Sequence, residues 1–140
     1  DLVDTSGNTA IGSSTDINIT VGTNDPGGWI LSVESAGGKL TTGTYDIDSC
    51  DATSSIAAAG DMYGLNATTS DGDVTISPNY NYWGENIVGT ASTTDQTFAT
   101  KDSANASTTV ATIKIMAACD AAQEAGAYTD TLTITATGGT

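Results

Sequence analysis

The stretch Glu124-Ala-Gly-Ala-Tyr-Thr-Asp-Thr-Leu-Thr-Ile-Thr-Ala-Thr137 decides how the rest of the chain is read. From Tyr128 onward, Tyr128, Asp130, Leu132, Ile134 and Ala136 share one parity, while Thr129, Thr131, Thr133, Thr135 and Thr137 share the other. Successive side chains of a strand point to opposite faces, so this period of two predicts a strand with one face for a core and one for water. Threonine is β-branched and favours extended backbone, and Ala125-Gly126 supplies a turn before the strand.

The same alternation recurs outward from this segment. Asp16-Ile-Asn-Ile-Thr-Val-Gly22 sets Ile17, Ile19 and Val21 on one face, and Trp29-Ile-Leu-Ser-Val-Glu34 does the same with Trp29, Leu31 and Val33. Turn formers fill Thr23 to Gly28, and Pro26-Gly27 suits the centre of a type II turn, so these two strands are expected to pair as a hairpin. A second hairpin is expected from Met62–Thr68, with Tyr63, Leu65 and Ala67 on one face, through the Ser70–Asp73 turn into Val74–Ile76. Thr108–Ala117 reads as a strong strand in which Ile113, Ile115 and Ala117 share the parity of Cys119. Glu85 to Asn105 reads as coil with a short strand near Gln96–Ala99, and Ser54–Ala59 holds the only hint of a helical turn. Seven to nine short strands with regularly spaced turn signals predict an all-β fold, an Ig-like antiparallel β-sandwich.

With 140 residues the chain is one domain's worth, long enough to bury roughly 68% of its unfolded surface. Residues 15–140 are read as the sandwich domain. Residues 1–14 are polar and glycine-rich, with apolar side chains only at Leu2, Val3, Ala10 and Ile11, and are read as an arm that needs a partner strand. The opening at Asp1, with no basic segment and no long apolar run, is read as a mature secreted chain without a membrane anchor.

Charge narrows the partners. Seventeen acids stand against three lysines, Lys39, Lys101 and Lys114, with no arginine or histidine, a formal net charge of −14. Phosphate neutralisation requires clustered Lys and Arg, so nucleic acid and anionic membrane surfaces are disfavoured. Without His or Arg the commonest general base and the bidentate anion clamp are missing, and no pair of acids is marked out for carboxylate chemistry. An enzyme is not expected. Cys50 and Cys119, 119 − 50 = 69 positions apart and outside any CxxC motif, are expected to form one disulfide and so to place the chain outside the cell or on its surface. Two buried thiols are the alternative.

The closing segment Ala125–Thr137 resembles the last strand of spore-coat-U-type pilins of the archaic chaperone-usher class, and of surface proteins from Gram-positive and Patescibacteria-like cells. Asp16–Val33 resembles the opening hairpin of the latter group. Together the two segments cover about a quarter of the chain. The resemblance implies an Ig-like fold and, for the pilins, polymerisation by donor-strand exchange, in which one subunit's arm completes the sheet of the next.

The function expected is therefore a structural subunit of an extracellular filament, pilus or surface layer, a homopolymer built by strand addition. Leu2, Val3 and Ile11 are the candidate donor residues. The alternative is a monomeric secreted module that binds carbohydrate or Ca2+. Three sequons, at Asn18, Asn66 and Asn105, are candidate glycan sites. Tyr80, Tyr82 and Trp83 form a candidate aromatic interface or sugar platform. No cofactor is expected beyond Ca2+, for which Asp46, Asp48 and Asp51 are the candidate ligands.

Overall fold

The computed structural model describes residues 10–56, 60–120 and 122–139. No α-helix occurs among them, and the chain is all-β with antiparallel sheets. In chain order the strands are β1 (Ala10–Ser13), β2 (Ile17–Thr23), β3 (Trp29–Ser35), β4 (Lys39–Thr41), β5 (Asp46–Asp48) and β6 (Ser54–Ser55). They continue with β7 (Met62–Thr69), β8 (Thr75–Ile76), β9 (Ile87–Val88), β10 (Gln96–Lys101), β11 (Asn105–Cys119) and β12 (Leu132–Gly138).

In the first sheet β11 is central. Its one side pairs with β7 from Ala111↔Thr69 to Ala118↔Met62, and its other side carries β1 and β2 in line. The second sheet runs β12-β3-β10-β8. Two short ribbons, β4-β5 and β6-β9, complete the pairing. Side chains from both large sheets meet in one core: Leu65, Ala67, Ala111, Ile113 and Ala117 from the first, Trp29, Leu31, Val33, Ile76 and Phe98 from the second. These are the inward parities of alternating strands, brought together because each sheet can dry its apolar face only against the other.

β10 breaks its own alternation. The register against β3 shifts between Thr97 and Ala99, so Phe98 and Ala99 are both buried in succession. An extra residue on one strand re-aims the side chains that follow it, and here it adds a ring to the core.

Both expected hairpins are absent as pairings. β2 lies in the first sheet and β3 in the second; β7 and β8 are divided in the same way. The chain crosses between sheets at each of these turns. The turn at Pro26-Gly27 also differs from the expected type. Gly28 N donates to Asp25 O at 2.9 Å, yet the residue with positive φ is Gly28, at 77°, and not Gly27. A type II turn requires positive φ at its second central position. Gly28 is fixed as glycine twice over, since a Cβ there would sit 1.8 Å from Lys101 O.

The expected disulfide is a correction. Cys50 and Cys119 are two separate buried thiols. Odd-numbered Ile113, Ala117 and Cys119 face the main core, whereas Met116 and Ala118 face the other side of β11, where they pack in a second cluster with Cys50, Ile56 and Val88. The first sheet therefore lies between the two sulfurs, and a bridge would have to pass through it.

Candidate functional site

Edge pairing is built from backbone, so the site begins with which edges the fold leaves unpaired. β7 is covered on the side away from β11. Cys50 N donates to Tyr63 O, Leu65 and Gly89 exchange both backbone bonds, and Ala67 N donates to Tyr80 O. Asn66 fixes the same segment from the outer face: its Nδ2 donates to Tyr82 O and Ile87 O, and its Oδ1 accepts from Tyr82 N. The approach is close because residue 64 is glycine; a Cβ there would meet Gly89 O at 2.5 Å. β7 also packs on β8, closing the two sheets along that margin.

The opposite margin is different. Among the described residues no strand pairs with the outer edge of β1, β2 or β12. Because β7 and β8 meet across β11 and across β3-β10 respectively, the edges of β2 and β12 fall on the same side of the molecule. Ile19 and Val21 on one edge and Leu132 and Ile134 on the other are only partly buried against the core. Ile11 and Ile17 are each 38% exposed. Unpaired N–H and C=O groups flanked by half-covered apolar side chains are what an added strand would satisfy.

The segment read as an arm divides. Residues 1–9, with Leu2 and Val3, lie outside the described residues. Ala10–Ser13 forms β1 and pairs with β11 of its own chain, Ile11 opposite Ala118. Between β1 and β2 the ladder is interrupted at Ser14, whose N donates to Ile115 O at 2.8 Å while its Oγ accepts from Ile115 N at 3.0 Å.

β12 is held at its start by a side-chain hub. Asp130 Oδ2 accepts from Tyr63 Oη and from Ser35 Oγ, the latter at 2.6 Å, so one carboxylate ties the β12 approach to β7 and β3. Burial is the main cause, and the Asp130 hydrogen bond the second, that hold the Tyr63 phenol well above its ordinary pKa. The alternation read at Tyr128–Ile134 points these residues inward, but Ala136 is exposed although it pairs with the fully buried Leu31.

The remaining candidates are scattered. Tyr80 is a core residue, 3% exposed, with its hydroxyl donating to Thr90 O. Trp83 is half-buried and carries the Lys114 ammonium 4.2 Å from its ring centre, a cation–π contact; Tyr82 lies beside it, half-buried. Asp46 and Asp48 alternate along β5, with Asp46 bound to Lys39 at 2.6 Å, and no group of three or more His, Cys, Asp or Glu set to hold a metal occurs among the described residues. Asn66 is 1% exposed with its amide nitrogen committed twice, so the folded chain offers no room for a glycan there. Asn18 is exposed on β2, and the side chain of Asn105 lies outside the described residues. Sequence reading also passed over Lys101, whose side chain is 2% exposed and meets Asp73 at 3.3 Å. A lysine two places past the inward Ala99 carries that hint, but only the bulge places it inside.

No described helix is long and apolar enough to cross a membrane. The class these features define is an all-β domain of antiparallel sheets, with two edges on one margin unpaired among the described residues. No family model, curated protein or solved structure matches the chain.

Proposed function

We propose that this chain is the repeating subunit of an extracellular filament or surface layer, an Ig-like β-sandwich whose copies interlock by strand addition. The observation that carries the reading is the asymmetry of the margins: one is closed by backbone and Asn66 bonds, and the other leaves β1, β2 and β12 without outer partners among the described residues. Solvated proteins blunt long unpaired edges because such edges recruit other chains. Here the edges carry Ile11, Ile17, Ile19, Val21, Leu132 and Ile134, and among the described residues only one lysine–carboxylate pair, Lys114 with Asp16 at 3.2 Å, adjoins them.

The donor in this reading is the segment 1–14. The pairing of β1 with β11 within one chain is the same pairing that a neighbour's arm would make, and the interruption at Ser14 is the hinge about which the arm exchanges. Thr, Ser and acidic side chains on the outer faces keep the assembled surface soluble outside the cell.

Negative-stain electron microscopy tests the reading on three chains. The full chain is expected to give uniform fibres or sheets; deletion of residues 1–14 and Gly12→Pro, which removes an N–H from the β1 ladder, are expected to give dispersed particles with an unchanged β-rich circular dichroism spectrum. Dispersed particles from the full chain, or fibres from all three, would sink the proposal.

A further inference from the structure

A pocket of 430 Å3 lies away from the open margin, with none of its lining residues on β1, β2, β11 or β12. Its size is that of a small-molecule site. Asp51 and Thr53 contribute from the segment between β5 and β6, Asn79 and Tyr80 from that between β8 and β9, Thr90 from just after β9, and Gln96 from the start of β10.

The frame of this pocket is fixed by the fold's own bonds. Tyr80 Oη donates to Thr90 O at 3.0 Å, Thr90 Oγ1 donates to Cys50 O at 2.8 Å, and Ala91 N donates to Ser49 Oγ at 2.7 Å, so the walls are tied to one another. Gln96 Nε2 donates to Thr94, which leaves its carbonyl oxygen as an acceptor. The side chains of Asp51, Thr53 and Asn79 make no hydrogen bond within the protein among the described residues. Uncommitted polar groups on a rigid frame are how a site fixes the orientation of a ligand.

Their chemistry selects the ligand. The Asp51 carboxylate, the Asn79 and Gln96 amide carbonyls and the Thr53 hydroxyl supply acceptors; the Asn79 NH2 and the Thr53 hydroxyl supply donors; no cation lines the pocket. An anion would meet Asp51 in a chain of net charge −14 and is repelled. A metal ion would find a single acid, and no metal-holding group of three occurs among the described residues. The ligand that uses both donors and acceptors is neutral and rich in hydroxyls. We infer that this pocket binds a neutral monosaccharide unit through Asp51, Asn79 and Gln96. The inference stands whether or not copies of the chain assemble.

Saturation-transfer NMR on the full chain with glucose, galactose, mannose and N-acetylglucosamine tests it. At least one of these sugars is expected to bind saturably with Kd on the order of 1 mM. Asp51→Ala with Asn79→Ala should weaken that binding about tenfold or more, a loss of about 1.4 kcal/mol. The melting temperature should be unchanged, since neither side chain serves the fold. Tyr82→Ala, outside the pocket, should leave binding intact. The inference is overturned if none of the four sugars gives saturable transfer up to about 50 mM. It is equally overturned if the double variant binds as tightly as the parent, or if Ca2+ alone perturbs the pocket resonances.

Discussion

The two margins of the molecule are built from similar strands and treated in opposite ways. At the β7–β8 margin the segments 49–50 and 80–89 lie along β7 and satisfy its outer backbone groups, while Asn66 locks them in place. At the β2–β12 margin nothing plays that part among the described residues. The difference shows that edge protection in this fold is supplied by connecting segments rather than by strand sequence: β7 and β2 both alternate, but only β7 has a long return loop to cover it.

Substitutions separate the margins by size of effect. Asn66→Ala attacks the closed one and leaves the carbonyls of half-buried Tyr82 and Ile87 without their donor. It should cost roughly 3 kcal/mol in urea unfolding, and a change below about 1 kcal/mol would mean that the covering segment is not held by this side chain.

The closed margin should also weaken in base. Burial is the main cause pushing the Tyr80 phenol from 10.0 up to about 12. Below pH 10 both states keep the proton; as pH rises through 10 the unfolded chain ionises while the folded phenol does not, so stability should fall between pH 10 and about 12. Base titration followed by circular dichroism should show Tyr80→Phe losing part of that slope, and an unaltered slope would contradict the assignment.

Effects at the open margin should be smaller. Asp130→Ala removes the acceptor shared by Tyr63 and Ser35 and should cost roughly 2 kcal/mol. Faster amide exchange in β12 than in β11 should accompany it. Ile134→Ala, only half-buried, should cost about 1 kcal/mol in the same assay. Ile17→Lys should change stability by no more than about 0.5 kcal/mol. It is nevertheless expected to weaken fibres under the electron microscope, because Ile17 pairs with β11 in line with the β1 position that a neighbour's arm would fill. Fibres unaffected by Ile17→Lys would show that β2 takes no part in receiving the arm.

How much of this was legible in the sequence follows from what alternation encodes. Period two gives the existence of a strand and its inward parity, and so Trp29, Leu31 and Val33, or Ile113, Ala117 and Cys119, enter the core as their spacing requires. Partners are not encoded locally. The Pro26-Gly27 and Ser70–Asp73 turns carry hairpin signals, but the chain uses them to cross between sheets, a choice made by where the apolar faces can meet. The same limit applies to Cys50: its neighbours do not alternate, and only non-local packing with Val88 and Met116 sends it to the far face of β11. The Tyr128–Thr137 stretch reads as the most regular strand, yet it forms an edge, whereas central β11 reads as only one strand among several. Regularity reflects one wet face and one dry face; centrality depends on what lies on both sides.

The placement of the two sulfurs on opposite faces of one sheet bears on how the chain matures. Nothing in its stability depends on an oxidant, so the redox potential of the surroundings drops out of the folding equilibrium. The same architecture should form in a reducing cytosol and in an aerated medium, with identical melting curves in the presence and absence of dithiothreitol.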